Sequence, residues 1–567
     1  NVHLAPAWLG RLEKRLETLR PHGDFRLFLT MEINPAVPAS LLRRARTLLY
    51  EPATGLRANL LESLRTAGAA GAAGAPAERT RLRFQLAWLH AVVIERLRYA
   101  PLGWSHRYEF SDADFTCALA TVDAWVTRAA QGRANIAPER IPWDAIRTLL
   151  VESVYGGRID SAFDQRVLAA FVARWFCADA YGADFALVDE PSLRAPEGTC
   201  AGDFERWCLA LPESQPPTWL GLPPNAETLL LVQKGQRLLA DVRKLRALMD
   251  DDDDEEHDDD AGGSGFGLAL VPEEPHAAGT DDDSDNRAEL PAYMRQVAAL
   301  AAGFARILPE TLPALAGEGD DAAATPLLRV MERENSEARA LLARVRGDLA
   351  LLGEVCSGRR KQTNHLRRLL ADFNAGTVPA AWLAAYVVPR DISLSQWVAD
   401  FGQRLAQGRE LAAVYAAGAE RAIHGAPVWL GGLLFPEAFI TATRQAVAKQ
   451  LACSLEELHI GLVPDAAAAA AAAADHVFRV RGLRLEGAQW IAGGAGLALN
   501  DGRSEPLPIS LLTWTRGEPA AGTCGAAIPV YLNGDRSSLL FEARLPAAGG
   551  AQRAAAIVER AVAITAA

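Results

Sequence analysis

A phosphate-binding loop of the form G-x-x-x-x-G-K-[ST] brings a lysine ammonium and a neighbouring hydroxyl onto nucleotide phosphates and magnesium together. The five lysines here, Lys14, Lys234, Lys244, Lys361 and Lys449, precede Arg, Gly, Leu, Gln and Gln, so no such loop exists in this sequence. The run "FALVDEPS" at 185–192 ends in Asp189 and Glu190, the pairing that holds magnesium and orients water in ATPases. Without a phosphate loop it reads as a solvated strand end, with nucleotide hydrolysis as the rival. Glu32, Arg43, Arg44 and Arg46 form a second candidate, since arginines at such a place can stabilise phosphate charge on a neighbouring module. Surface salt bridging is the plainer expectation for them.

Other chemistries fail on spacing. Ser264 in "GGSGFG" has Phe266 where a G-x-S-x-G elbow needs its last glycine. The ten histidines show no H-E-x-x-H or comparable ligand spacing, and His90 sits in an apolar helical run, where a hydrogen-bonded core residue is expected. The acidic runs lack the glycine that a calcium loop needs at its sixth position. Seven scattered cysteines without C-x-x-C argue for neither a disulfide framework nor a zinc site and fit a reducing, cytosolic compartment. No catalytic, cofactor-binding or metal-ligating residue is therefore assigned.

The elements that would carry any site come next. In "FRLFLTMEI", Phe25, Leu27, Leu29, Met31 and Ile33 alternate as on one face of a strand; "ASLLRRAR" reads as a short helix and "TLLYEP" as a second strand. Residues 66–77 are Gly/Ala low complexity and read as a loop. In "RTRLRFQLAWLHAVVIERLR" apolar residues cover most of a helix, which Pro101 and Gly103 stop in a turn ringed by Tyr99, Trp104, Tyr108 and Phe110. That turn is expected to be a packing device rather than a ligand pocket. Helices are predicted at 112–130, 142–154 and 161–176, with mainly helical blocks at 203–248 and 291–460. From Val477 the pattern changes to short strand-like runs, which predict a small antiparallel barrel or sandwich.

Charge and length bound the rest. With 567 residues, half of them hydrophobic, the chain is multidomain. Its net charge of −12 is local: residues 250–285 hold sixteen acidic residues and no Lys or Arg, and the remainder sums to +4. The acidic insert at 250–288 is expected to be disordered, and the scattered basic residues argue against nucleic acid. No apolar run reaches the roughly 20 residues that span a bilayer, so membrane insertion is not expected. A chain starting at Asn1 without a signal sequence is expected to begin inside a longer protein.

"HAVVIERLRYAPLGWSHRYEF" followed by "IPWDAIRTLLVESVYGGRIDSAFDQRVL" resembles the last AAA+ module of dynein heavy chains. Upstream, "NVHLAPAWLGRLEKRL" and "FRLFLTMEINPAVPASLLRRAR" resemble the second half of that module's α/β subdomain. Downstream, "QTNHLRRLL", "VPRDISLSQWVADFGQRL" and "WLGGLLFPEAFITATRQAVAKQ" resemble the family's C-terminal domain, in cytoplasmic rather than axonemal wording.

The resemblance implies a mainly α, multidomain fold. It would hold part of an α/β AAA+ large subdomain at 1–65, a helical lid at 78–180, a helical C-terminal domain at 200–460 and a β-barrel cap at 475–567. It implies the C-terminal part of a cytoplasmic, minus-end-directed microtubule motor, closing and bracing the ring without hydrolysing ATP itself. ATP and magnesium would bind upstream modules. Implied partners are the other AAA+ modules, a second heavy chain, intermediate, light-intermediate and light chains, and, through upstream regions, the microtubule. The rivals are a scaffold derived from a motor and an independent hydrolase using Asp189 and Glu190.

Overall fold

The computed structural model describes residues 2–31, 34, 37–49, 54–69, 76, 78–182, 184–188, 193–198, 200–252, 292–315, 325–389, 392–416, 425–464, 477–491, 496–516, 525–547 and 551–566. The chain divides into two compact units, residues 1–54 and 55–567.

In the first unit, helix α1 (Pro6–Thr18) and the predicted short helix α2 (Ala39–Arg44) pack through Leu9, Val37 and Leu41, with Leu29 and Met31 against them. The two expected strands do not form among the described residues: 25–31 and 46–49 are irregular. The alternation in "FRLFLTMEI" has physical content, since Leu29 and Met31 face the small core. A strand, however, exists only when its amides and carbonyls pair with a neighbour, and the described ladder partner of 25–31 is one bond from the Val2 amide to the Thr30 carbonyl. Phe25, Leu27 and Phe28 are exposed.

The second unit begins with a helical block. Helix α3 (Leu56–Ala69) reaches into the stretch expected to be loop, and its Leu56, Leu60, Leu64 and Ala67 are buried in the same core as α4 (Glu78–Leu97). A low hydrophobic contrast around α4 is what a helix enclosed on most sides requires, and Leu82, Phe84, Leu86, Trp88, Leu89, Val92 and Val93 are all buried. Helix α5 (Asp112–Ala130) starts where Asp114 Oδ2 accepts from the Ser111 amide at 2.9 Å, a capping box at the helix entry. The predicted 142–154 helix is α6 (Trp143–Thr148) continued by a π-helical turn, Leu149–Val154, and α7 (Ala162–Trp175) and α8 (Ala201–Leu209) complete the block.

The aromatic turn is built into this core. Trp104 is fully buried, its Nε1 donates to the Val93 carbonyl at 3.0 Å, and its ring meets Tyr108 and Phe110 with centroids 6.0 and 5.7 Å apart. Gly103 is required there, because a Cβ would fall 2.0 Å from the Arg96 carbonyl oxygen.

Helix α9 (Ala226–Asp252) continues into the first residues of the acidic run; the rest of that insert, the polyalanine run and Ser264 lie outside the described residues. A second helical core follows, from α10 (Ala292–Ile307), α11 (Pro326–Cys356), α12 (Asn364–Ala375), α13 (Ala380–Leu383) and α14 (Leu394–Ala416). Trp382 and Trp397 stack at its centre, 5.2 Å between centroids.

The last core combines α15 (Pro436–Leu451) with strands β1 (Val428–Trp429), β2 (Leu458–Pro464), β3 (Val477–Arg481), β4 (Arg484–Ile491), β5 (Gly496–Pro506), β6 (Ser510–Arg516), β7 (Gly525–Tyr531), β8 (Leu539–Pro546) and β9 (Ala563–Thr565). They form a four-stranded sheet ordered β1-β3-β6-β2 and a five-stranded sheet ordered β5-β4-β9-β7-β8. The expectation of antiparallel pairing needs correction, because β1 pairs with β3, and β7 with β9, in parallel. Those parallel pairs arise where helices intervene: helix α16 (Ala551–Glu559) returns the chain from β8 so that β9 enters the middle of the sheet. The carbonyl of Ala566, just beyond β9, accepts from Trp429 Nε1 at 3.1 Å, joining the end of that sheet to β1 of the other.

Trp104→Ala is expected to destabilise the helical block by about 3–5 kcal/mol, as other buried aromatic truncations do, with an added contribution from the lost Val93 bond. Urea unfolding followed by tryptophan fluorescence and far-UV circular dichroism measures it; an unshifted midpoint would show the ring to be dispensable.

Candidate functional site at the junction of helices and sheet

The first helical core and the five-stranded sheet meet through polar side chains that neither core could hold alone. Arg96, in the last turn of α4, is fully buried. Its Nε donates to the Gly103 carbonyl at 3.0 Å, and its Nη1 to the carbonyls of Leu220 and Glu559 at 2.5 and 3.2 Å. Its guanidinium lies 5.4 Å from the Trp104 ring centroid and 5.1 Å from that of Phe171. A buried cation needs acceptors and polarisable faces to replace its water; these supply them for Nε and Nη1, while Nη2 is buried without a hydrogen-bond partner among the described residues. Burial still depresses its pKa to about 10, with Asp164 and Glu559 raising it and Arg536 lowering it further, so the group stays charged at neutral pH.

Glu559, the last residue of α16, is held from two sides: its carbonyl by Arg96 and its carboxylate by Arg174 of α7 at 3.3 Å. Nearer the start of α7, Arg166 makes a two-point bond to Glu542 of β8 at 2.8 and 3.0 Å. Arg536, buried in the β7–β8 connection, donates to the Ala561 carbonyl at 2.8 Å and to Glu486 of β4 at 3.2 Å. Asn225, at the start of α9, donates to the Gly502 carbonyl of β5 at 2.9 Å, where any Cβ on residue 502 would fall 1.9 Å from Asn225 Oδ1.

Asp164 anchors the helical side. It accepts from the Ser105 amide and hydroxyl and from the Tyr108 hydroxyl at 2.6 Å. Burial and this bond to a carboxylate push the Tyr108 pKa far up, so the phenol remains a donor. Beside the junction lies a cavity of 340 Å³ lined by Tyr99, Leu102, Asn225, Leu230, Glu486 and Arg536, among others.

This arrangement ties the helical core to the sheet. Among the described residues no cluster of His, Cys, Asp and Glu could hold a metal ion, and no helix is long and apolar enough to cross a membrane.

Three family profiles match in sequence order: the dynein heavy chain region D6 P-loop domain over residues 1–49, the dynein heavy chain AAA lid domain over 79–226, and the C-terminal domain of the dynein heavy chain over 268–566. The protein belongs to the dynein heavy chain family. It is 41% identical to a cytoplasmic dynein heavy chain of Drosophila melanogaster over its whole length, and 40% identical to one of Dictyostelium discoideum over 96% of it. A cytoplasmic dynein heavy chain of Fusarium vanettenii is 49% identical over 44% of the sequence. The sequence spans about 12%, 11% and 6% of the length of these relatives. Placed on the matches, the junction is where the dynein lid meets the C-terminal domain.

Arg43, Arg44 and Arg46 are exposed on and after α2; Arg44 pairs with exposed Glu17 at 2.7 Å. Glu32, Asp189 and Glu190 are outside the described residues, although Leu187 before the acidic pair is buried, its carbonyl accepting from Trp175 Nε1. His90 is a core residue, as expected: 1% exposed, with Nδ1 3.1 Å from the Tyr155 hydroxyl.

Arg96, Arg174, Asp164 and Glu559 were not singled out by sequence. The one available signal was Arg96 itself, a charge that follows the largely apolar run 86–94 of α4. Its partner Glu559 is 463 positions away, which no local pattern reports.

Desolvation lowers the pKa of His90 from 6.5 to about 4, with Asp114 opposing the shift. The folded value lies below the unfolded one, so the unfolded protein takes up the proton first as pH falls. The stability present at pH 7 is then lost progressively from about pH 6.5 downward, by about 2 kcal/mol at pH 5 from this residue. Urea denaturation at pH 7 and pH 5 should show a smaller pH-dependent loss in His90→Gln than in the unsubstituted protein; equal losses would remove His90 as the source.

Proposed function

We propose that this segment closes and braces the AAA+ ring of a cytoplasmic, minus-end-directed dynein motor, transmitting nucleotide-driven changes made in other modules without catalysing a step itself. The observation that carries the proposal is α16: Ile557 is buried in the sheet core while its neighbour Val558 packs against the lid core, so one helix belongs to both bodies. A brace must be packed against the part that moves and continuous with the part that resists, and this helix meets both conditions.

Within that reading, residues 1–65 are the second half of the sixth module's large subdomain, 78–180 its lid, 200–460 the helical C-terminal domain and 475–567 a β-barrel cap. Barrel closure is supported by the parallel bridge between Leu497 and Ala547, which draws the β5 and β8 edges of the five-stranded sheet together. The exposed Phe25, Leu27 and Phe28, in a stretch that joins no sheet among the described residues, suit a sheet edge that earlier residues of the same module complete. ATP and magnesium bind in upstream modules of the parent heavy chain. The partners are those modules, a second heavy chain, the intermediate, light-intermediate and light chains, and, through upstream regions, microtubules of the cytoplasm.

Removing residues 475–567 from the heavy chain is expected to leave ATP binding intact while changing basal turnover, stepping or stall force, read by bulk ATPase and single-molecule motility on the same motor. Loss of nucleotide binding by a folded ring, or no change in either assay, would overturn the brace. The 567-residue protein alone should show no ATP binding by calorimetry at micromolar nucleotide, as its lack of a phosphate loop requires.

A further inference from the structure

The joint between lid and sheet is built unlike the cores on either side. Protein interiors are close-packed, and a packed core resists displacement because any shift opens voids. Here the joint leaves a cavity of 340 Å³ between the Tyr99–Leu102 turn, the start of α9 and the β4–β5 hairpin. Beside this cavity a small number of directed bonds ties lid to sheet, several of them to one short stretch of backbone. Residue 557 enters the sheet core, residue 558 touches the lid core, Glu559 is gripped by Arg96 and Arg174, Ala561 by Arg536, and residues 563–565 pass into the centre of the sheet.

The two bonds at Glu559 differ in kind. Arg96 holds a backbone carbonyl from a fully buried position, and losing that acceptor would leave more of a desolvated cation unpaired. Arg174 holds the carboxylate through a bond between charged side chains that are partly enclosed, 24% exposed for Arg174 and 9% for Glu559. The first bond acts as a pivot and the second as a catch. Breaking the second bond loosens α16 while the Arg96 contact keeps it on the lid, and β9, a few residues on, is coupled to it.

We infer that α16 and β9 form a coupling rod between the lid and the C-terminal sheet, latched by the Glu559 carboxylate on Arg174, with Arg96 and Arg174 as positioning residues for the motor's response to its track. The inference rests on the bracing role proposed above and assigns that role to a specific joint. A rod with two arrangements is what lets two distant sites bias one equilibrium; a rigidly packed contact would only transmit strain.

Two measurements test it. In the 567-residue protein, Glu559→Gln keeps the shape and the Arg96 contact but removes the charge, and should speed amide exchange over 557–566 by about tenfold while α5 exchanges as before. The exchanged pair Arg174→Glu with Glu559→Arg should return those rates toward the original. Unchanged exchange in Glu559→Gln overturns the latch.

In the heavy chain, Glu559→Gln should lower the ratio of microtubule-stimulated to basal ATP turnover by about fivefold with the KM for ATP unchanged, and the charge exchange should restore the ratio. Rescue by the exchanged pair assigns the effect to the Arg174–Glu559 bond, and the unchanged KM for ATP separates it from a general loss of folded motor. If the ratio is unaltered by Glu559→Gln yet altered by removal of residues 475–567, the rod is wrong and the brace stands. If neither change alters it, the brace itself is wrong.

Discussion

A guanidinium withdrawn from water is the constraint around which this molecule is arranged. Arg96 lies in the last turn of a helix that is buried on most of its surface, and a buried cation is tolerated only where acceptors are fixed in advance. Those acceptors come from three separate places: the carbonyl of Gly103 in the aromatic turn, that of Leu220 before α9, and that of Glu559 hundreds of residues downstream. The turn "YAPLGW" thereby has a purpose beyond packing. Its glycine lets the backbone close on Arg96, and its tryptophan offers the cation a π face.

Charge at the joint is distributed in pairs of graded exposure. Arg536 with Glu486 and Arg174 with Glu559 are both mostly enclosed, and Arg166 with Glu542 is partly wet. Enclosed pairs fix geometry because breaking one strands the other; wet pairs contribute little energy but are easily remade. A seam graded in this way has a fixed end and a yielding end, which suits an element that must stay attached while changing angle.

Much of the scaffold was legible in the sequence, and what was missed follows a rule. Helices α5 and α7 lie within a residue of expectation because their apolar period and their caps, such as Ser111 with Asp114, are local. Trp104 was readable as packing because an aromatic cluster after an enclosed helix has few other uses. The strands expected at 25–33 and 47–52 do not form over the described residues 25–31 and 47–49, because pairing partners are not written in the strand itself. Two-residue β1 and three-residue β9 are too short to show any period, and β9's parallel partner was hidden by the intervening α16. The joint was illegible for a sharper reason: the bonds that tie lid to sheet, Arg96 and Arg174 to Glu559 and Arg166 to Glu542, span 376 to 463 positions, separations at which a single sequence carries no record of contact.

The position of β9 has a consequence for biosynthesis. In the order β5-β4-β9-β7-β8 the strand that leaves the ribosome last of the five is the one that lies in the middle. Until residues 563–565 emerge, the sheet exists at most as two hairpins, β4–β5 and β7–β8, each with an open edge facing the gap the missing strand will fill. Exposed edges of this kind are templates for pairing with foreign strands, and non-local pairing of this sort is slow. Nascent protein therefore passes through a window in which the sheet is vulnerable, closed by the arrival of three residues. A premature stop shortly before Ala563 would leave every other strand of the sheet present and its centre vacant, so a lesion that deletes almost nothing of the sheet would prevent it from closing.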